Sequence, residues 1–137
     1  MPVLYEFDLT IPANTTQAAP TTLEAHVSAG NVTQVEVQIP LGCKGLTHVQ
    51  VLDSTHQLWP SNPDANIKGD DARIVWREDH DMDDFPYTLI LRGWNEDDSY
   101  PHTITFRFAM LPPSVKEAAR EPSGLLGRIA EHLGLGG

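Results

Sequence analysis

Carboxylates are the most abundant chemistry-bearing groups in this chain. Asp64, Asp70, Asp71, Glu78, Asp79, Asp81, Asp83, Asp84, Glu96, Asp97 and Asp98 place 11 of the 19 acids within residues 64–98. Carboxylate oxygens gathered on loops at one end of a β-sandwich are the hard ligands of which Ca²⁺ takes roughly six to eight. On that reading the candidate calcium ligands are Asp81, Asp83, Asp84, Glu96, Asp97 and Asp98. No D-x-[DN]-x-[DN]-G loop closed by a twelfth-position Glu occurs, so an EF-hand is excluded. The competing reading is a solvated, repulsive surface that keeps the protein soluble.

Adjacent acids such as Asp83/Asp84 or Glu96/Asp98 have the right types for acid–base work. Glycoside hydrolysis, however, needs two carboxylates at a set separation across a cleft. The histidines, His26, His48, His56, His80, His102 and His132, form no H-x-H, H-x-x-x-H or H-E-x-x-H pair, so no histidine metal centre is expected. His48 and His56 flank one expected hairpin and can face each other across it. The single Cys43, in Pro40-Leu41-Gly42-Cys43-Lys44-Gly45, forms no intramolecular disulfide and reads as a small loop or core residue. Nucleophile elbow, phosphate-binding loop and dinucleotide fingerprint are all absent. The expectation is a protein that is not an enzyme and uses no cofactor.

Trp59, Trp76, Trp94 and Tyr100 remain. Exposed indoles can stack on sugar rings, which keeps a carbohydrate- or calcium-binding module as the alternative. Trp76 shares a strand face with Ile74 and belongs to the core. Trp59 before Pro60 and Trp94 before Asn95 sit where strands meet loops. There an indole can cap the core, serve an oligomer interface or offer a ligand platform.

The elements that must carry these residues read as strands. Val3, Tyr5, Phe7, Leu9 and Ile11 alternate with Leu4, Glu6, Asp8 and Thr10, the period-two pattern of a strand buried on one face. The same alternation recurs at Leu23/Ala25/Val27/Ala29, Val35/Val37/Ile39, Val49/Val51, Ile74/Trp76, Tyr87/Leu89/Leu91 and Ile104/Phe106/Phe108, with a short strand over 56–59 ended by Pro60. Gly30-Asn31 predicts a tight hairpin turn. Residues 78–84 read as an acidic loop and 93–101 as a polar hairpin connection. Seven or eight strands at this spacing predict an all-β fold, an antiparallel β-sandwich or jelly-roll-like barrel.

After Met110 the pattern changes. Pro112-Pro113 ends the sheet, Ser114-x-x-Glu117 is a capping box, and Leu125, Leu126, Ile129 and Leu133 form one apolar helical stripe. The expected organisation is a β-sandwich domain over 1–111 and a proline-linked helical C-terminal arm over 112–137. A helix that short is marginal in water unless it lies on its own sandwich or on a neighbour.

Composition narrows the partners. In 137 residues, 9 Lys+Arg against 19 Asp+Glu give a net charge of −10, a repulsive field for a phosphate backbone, so nucleic acid is not an expected partner. No apolar run reaches the roughly 18–20 residues of a membrane helix, and Met1-Pro2-Val3-Leu4-Tyr5-Glu6 lacks the features of a signal peptide. The expectation is a soluble protein made in the cytoplasm, with no membrane partner.

The run Leu4-Tyr5-Glu6-Phe7-Asp8-Leu9-Thr10-Ile11-Pro12-Ala13-Asn14, the segments Trp59-Pro60-Ser61-Asn62-Pro63-Asp64 and Arg92-Gly93-Trp94-Asn95-Glu96-Asp97-Asp98, and the proline-linked arm together resemble a small β-sandwich virion protein of tailed bacteriophages. The class is the head-decoration or cement type, and the likeness is one of general character over residues 3–111. It implies a non-enzymatic virion component, made in the host cytoplasm, that forms a homo-oligomer such as a trimer and binds the major shell protein of a capsid. The interface candidates are then Trp59, Trp94, Tyr100, Leu125, Leu126, Ile129 and Leu133. Residues 11–21 can cross to a neighbour, and Arg73, Arg77, Arg92 and Arg107 can form subunit ion pairs or, equally, surface pairs with the abundant acids of their own chain.

Overall fold

The structure, a computed structural model, describes residues 3–113. The strands are β1 (Val3–Ile11), β2 (Thr21–His26), β3 (Gly30–Ile39), β4 (Thr47–Asp53), β5 (His56–Trp59), β6 (Ala72–Met82), β7 (Thr88–Asn95) and β8 (His102–Leu111). They pair antiparallel into two four-stranded sheets, sheet A in the order β1-β8-β3-β6 and sheet B in the order β2-β7-β4-β5. Only β4 and β5 follow one another within a sheet; every other connection passes to the opposite sheet. Such interleaving is that of interlocked Greek keys.

Alternation decides which side chains meet between the sheets. Ile104, Phe106, Phe108 and Met110 of β8 face Leu89 and Leu91 of β7 within one core, which also holds Val35, Val37 and Ile39 of β3. Phe106 and Phe108 are wholly buried, each contributing about 1.5–3 kcal/mol of transfer free energy. Along β1 burial deepens from exposed Val3, through Tyr5 and Phe7 packed partly buried against the core, to enclosed Leu9 and Ile11.

Three sequence expectations are corrected here. Of the expected loop 78–84 only Asp83 and Asp84 lie in one: β6 runs to Met82, with Glu78, His80 and Met82 turned to the sheet interface and Asp79 and Asp81 to the outside. Gly30 and Asn31 are no turn but the first residues of β3, paired with Met82 and Asp81. Gly30 has a φ of 148°, and a Cβ there would lie 2.3 Å from the Leu111 carbonyl oxygen, so the close passage of the chain leaving β8 requires glycine. Finally, β2/β3 and β7/β8 are not hairpins. β2 pairs with β7 and β3 with β6 and β8, since each short connection crosses between sheets. The expected helical arm, including its stripe of Leu125, Leu126, Ile129 and Leu133, lies outside the described residues.

Candidate functional site

Strand direction gives the sandwich two ends. Connections 12–20, 40–46, 60–71 and 96–101 lie at the first; connections 27–29, 54–55 and 83–87, with Val3 and Pro113, lie at the second. The candidate calcium ligands are thereby separated. Asp81, Asp83 and Asp84 are at the second end and Glu96, Asp97 and Asp98 at the first, roughly 25 Å apart along the strands. Asp97 is engaged locally: Oδ1 accepts the Ser99 and Tyr100 N–H groups at 2.9 and 3.2 Å, and Oδ2 lies 2.8 Å from His102 Nε2. The Ser99 bond first, then His102, holds its carboxyl below the usual range. Asp81 and Asp79 both accept from Nδ2 of wholly buried Asn31, at 2.8 and 2.7 Å. Among the described residues, no three His, Cys, Asp or Glu side chains converge to hold a metal.

The tryptophans are placed differently from the platform expectation. Trp59 and Trp94 are each only 5% exposed, so neither offers an open indole face. Trp94, on the outer face of sheet B, stacks on His48 at 5.3 Å between ring centroids. Trp59 turns inward, 6.4 Å from Phe108 and 6.0 Å from Trp76. Tyr100 alone of these candidates is open, at 68%. His48 does not face His56, whose cross-strand partner is Asp53. Its Nδ1 lies 2.7 Å from Asn66 Oδ1 and its Nε2 2.5 Å from Glu96 Oε1. Cys43 is buried, and that burial pushes its thiol up, away from nucleophilic use.

Three of the four candidate arginines, Arg73, Arg92 and Arg107, are engaged within the chain. On the outer face of sheet A, Arg107 of β8 donates to Glu6 Oε1 at 2.7 Å, to Gln38 Oε1 at 2.8 Å and to Glu36. Arg73 reaches Glu36 Oε1 at 2.8 Å. Glu36, 7% exposed, is drawn below the usual carboxylate range, first by its Arg73 hydrogen bond and also by Arg107, against the opposing effect of burial. On sheet B, Arg92 donates from Nε to Gln50 Oε1 at 2.9 Å. The segment 11–21 does not reach outward either, because the Asn95 N–H donates to Thr15 O and the Asn14 N–H to Asp97 O, both at 2.9 Å.

Two features went unread in the sequence. One is the clustering of exposed apolar side chains at the ends. Leu41 (75% exposed) and Tyr100 line a shallow depression of about 520 Å³ at the first end, together with Leu46, Lys44 and His102. Phe85 (79% exposed), Val3 and Leu4 stand at the second, and Val75, 41% exposed, lies between the ends on the outer face of sheet A, opposite Glu36. A lone exposed leucine is ordinary, and nothing in the sequence spacing of 41 and 100 pairs them. The other is a cleft of about 230 Å³ between the edges of β5 and β6, lined by Trp59, Pro60, Ser61, Ile67, Trp76 and Glu78. There Trp76 Nε1 donates to Glu78 Oε1 at 3.0 Å. Beside it His80 Nε2 lies 3.1 Å from Asp53 Oδ2, with its ring 5.9 Å from that of Trp59. Reading 78–84 as a loop hid Glu78 and His80 from this interior.

The sequence matches no protein-family model, and no curated protein is significantly similar to it.

Proposed function

We propose that this protein is a non-enzymatic structural protein of a viral particle, decorating or cementing a capsid lattice through contacts with its own copies and with the major shell protein. The observation that carries the reading is that, among the described residues, five of the six exposed large apolar side chains stand at the ends of the sandwich, Leu41 and Tyr100 at one and Phe85, Val3 and Leu4 at the other, with Val75 the exception. The central outer face of sheet A is occupied by ion pairs. Apolar surface at opposite ends suits a unit that meets neighbours end-on. The strand order, that of a jelly roll, supports the reading by analogy, since this wiring recurs in capsid proteins as well as in lectins.

Light scattering of the full chain across a concentration series tests this. A defined multimer is expected, and Leu41→Asp combined with Tyr100→Asp should shift it toward monomer while the melting temperature holds. A chain that is monomeric throughout overturns the self-assembly on which the reading rests.

A further inference from the structure

We propose that the cleft between the β5 and β6 edges is a socket for an organic cation, a guanidinium or ammonium group carried on an apolar stem. At about 230 Å³ it has room for one long side chain or a molecule of that size. Its walls are chiefly apolar. Trp59 and Trp76 meet at an interplanar angle of 72° with centroids 6.0 Å apart, and Pro60 and Ile67 complete the enclosure. An indole attracts cations through its negative face, and of the two rings the half-buried Trp76 is the one with surface to offer, with enclosed Trp59 behind it.

Among the described residues, Glu78 is the only formally charged one lining the cleft. Its carboxylate is fixed rather than free to swing, because Oε1 accepts Trp76 Nε1–H and Oε2 accepts the Asp79 N–H at 3.3 Å. Each oxygen keeps a lone pair for a second donor. Arg73 and Arg77 fall at the alternate, outward positions of β6, so neither neutralises Glu78 from inside. A pyranose is the poorer fit, because it needs a broad open indole face and Trp59 is almost enclosed. The net charge of −10 favours cation entry from a distance. The socket does not require self-assembly; a monomer would hold it equally.

The test follows the Trp76 indole N–H resonance of the full chain by NMR during titration with N-acetyl-arginine amide. Its neutral isostere N-acetyl-citrulline amide and methyl β-glucoside are run in parallel. A saturating shift with the arginine probe alone is expected, and Glu78→Gln should weaken it about tenfold or more with the rest of the spectrum unchanged. Equal shifts with citrulline, a shift with the glucoside alone, or no shift with any probe overturns the proposal. None of these readings depends on the variant folding. Dilution of the unliganded protein separates two sources of the same chemistry. A concentration-dependent Trp76 shift that the arginine probe abolishes identifies a neighbouring copy's side chain, whereas an invariant resonance alongside probe binding identifies a free ligand.

Discussion

Arg107 and Arg92 occupy matching places, each on the inner strand second from the edge of its sheet and each pointing outward, yet they are held by different chemistry. Arg107 sits between two carboxylates, Glu6 and Glu36, which raise its already high pKa further. Arg92 is held by Gln50, a neutral amide whose own Nε2 donates to the Ala65 carbonyl at 2.8 Å and to Gln57 Oε1 at 3.2 Å. One arginine is therefore held by charge and the other by amide geometry. Outward arginines of a single sandwich can thus be held with different sensitivities to acid and salt.

The largest effect should come from Glu36→Ala. It leaves Arg73 and Arg107 without their shared, nearly buried acceptor and should cost about 2–3 kcal/mol, read as a lowered denaturation midpoint in urea. Acid sharpens the same point. The carboxyl of Glu36 titrates lower in the folded state than its ordinary 4.5, so the folded chain binds fewer protons. Its stabilisation is whole above that pH and is lost as pH falls through the folded value. Asp70 and Asp97 behave alike, held low first by the Lys44 and Ser99 N–H groups respectively. Stability should thus drop steeply on acidification, and Glu36→Gln should make that limb shallower; an unchanged limb would remove the distinction between the two arginines. The smallest effect is Gln50→Ala, about 1–2 kcal/mol, with a midpoint shift that is the same at pH 7 and at pH 4.

Period two was enough to read the interior in the sequence. The alternations at 3–11, 35–39, 89–91 and 104–108 are the strands that now enclose the core, and the hairpin expected between His48 and His56, with its short strand over 56–59, is that of β4 and β5. Partnership was not. Short connections suggest hairpins, but in this wiring nearly all of them change sheet, and no local signal distinguishes a tight turn from a crossing. Polar composition misled at 78–82, where the alternation of Glu78, His80 and Met82 against Asp79 and Asp81 continues β6 beneath an acidic surface. Trp59 and Trp76 were visible separately. Their meeting across the edges of two sheets, with Glu78 lining the same cleft, required the third dimension.

The strand order also bears on biosynthesis. β7 lies between β2 and β4, and β8 between β1 and β3, so the last of the described strands to be translated are the ones that close both sheets. Until residues 88–111 leave the ribosome, β1 and β2 have no partner at all, and β3 has only β6. Such non-local pairing makes for slow folding, on the scale of roughly milliseconds to seconds, and leaves unpaired edges exposed while the chain is unfinished. Completion of the C-terminal strands thus acts as a checkpoint: a transcript truncated before residue 102 yields a chain that cannot seal sheet A.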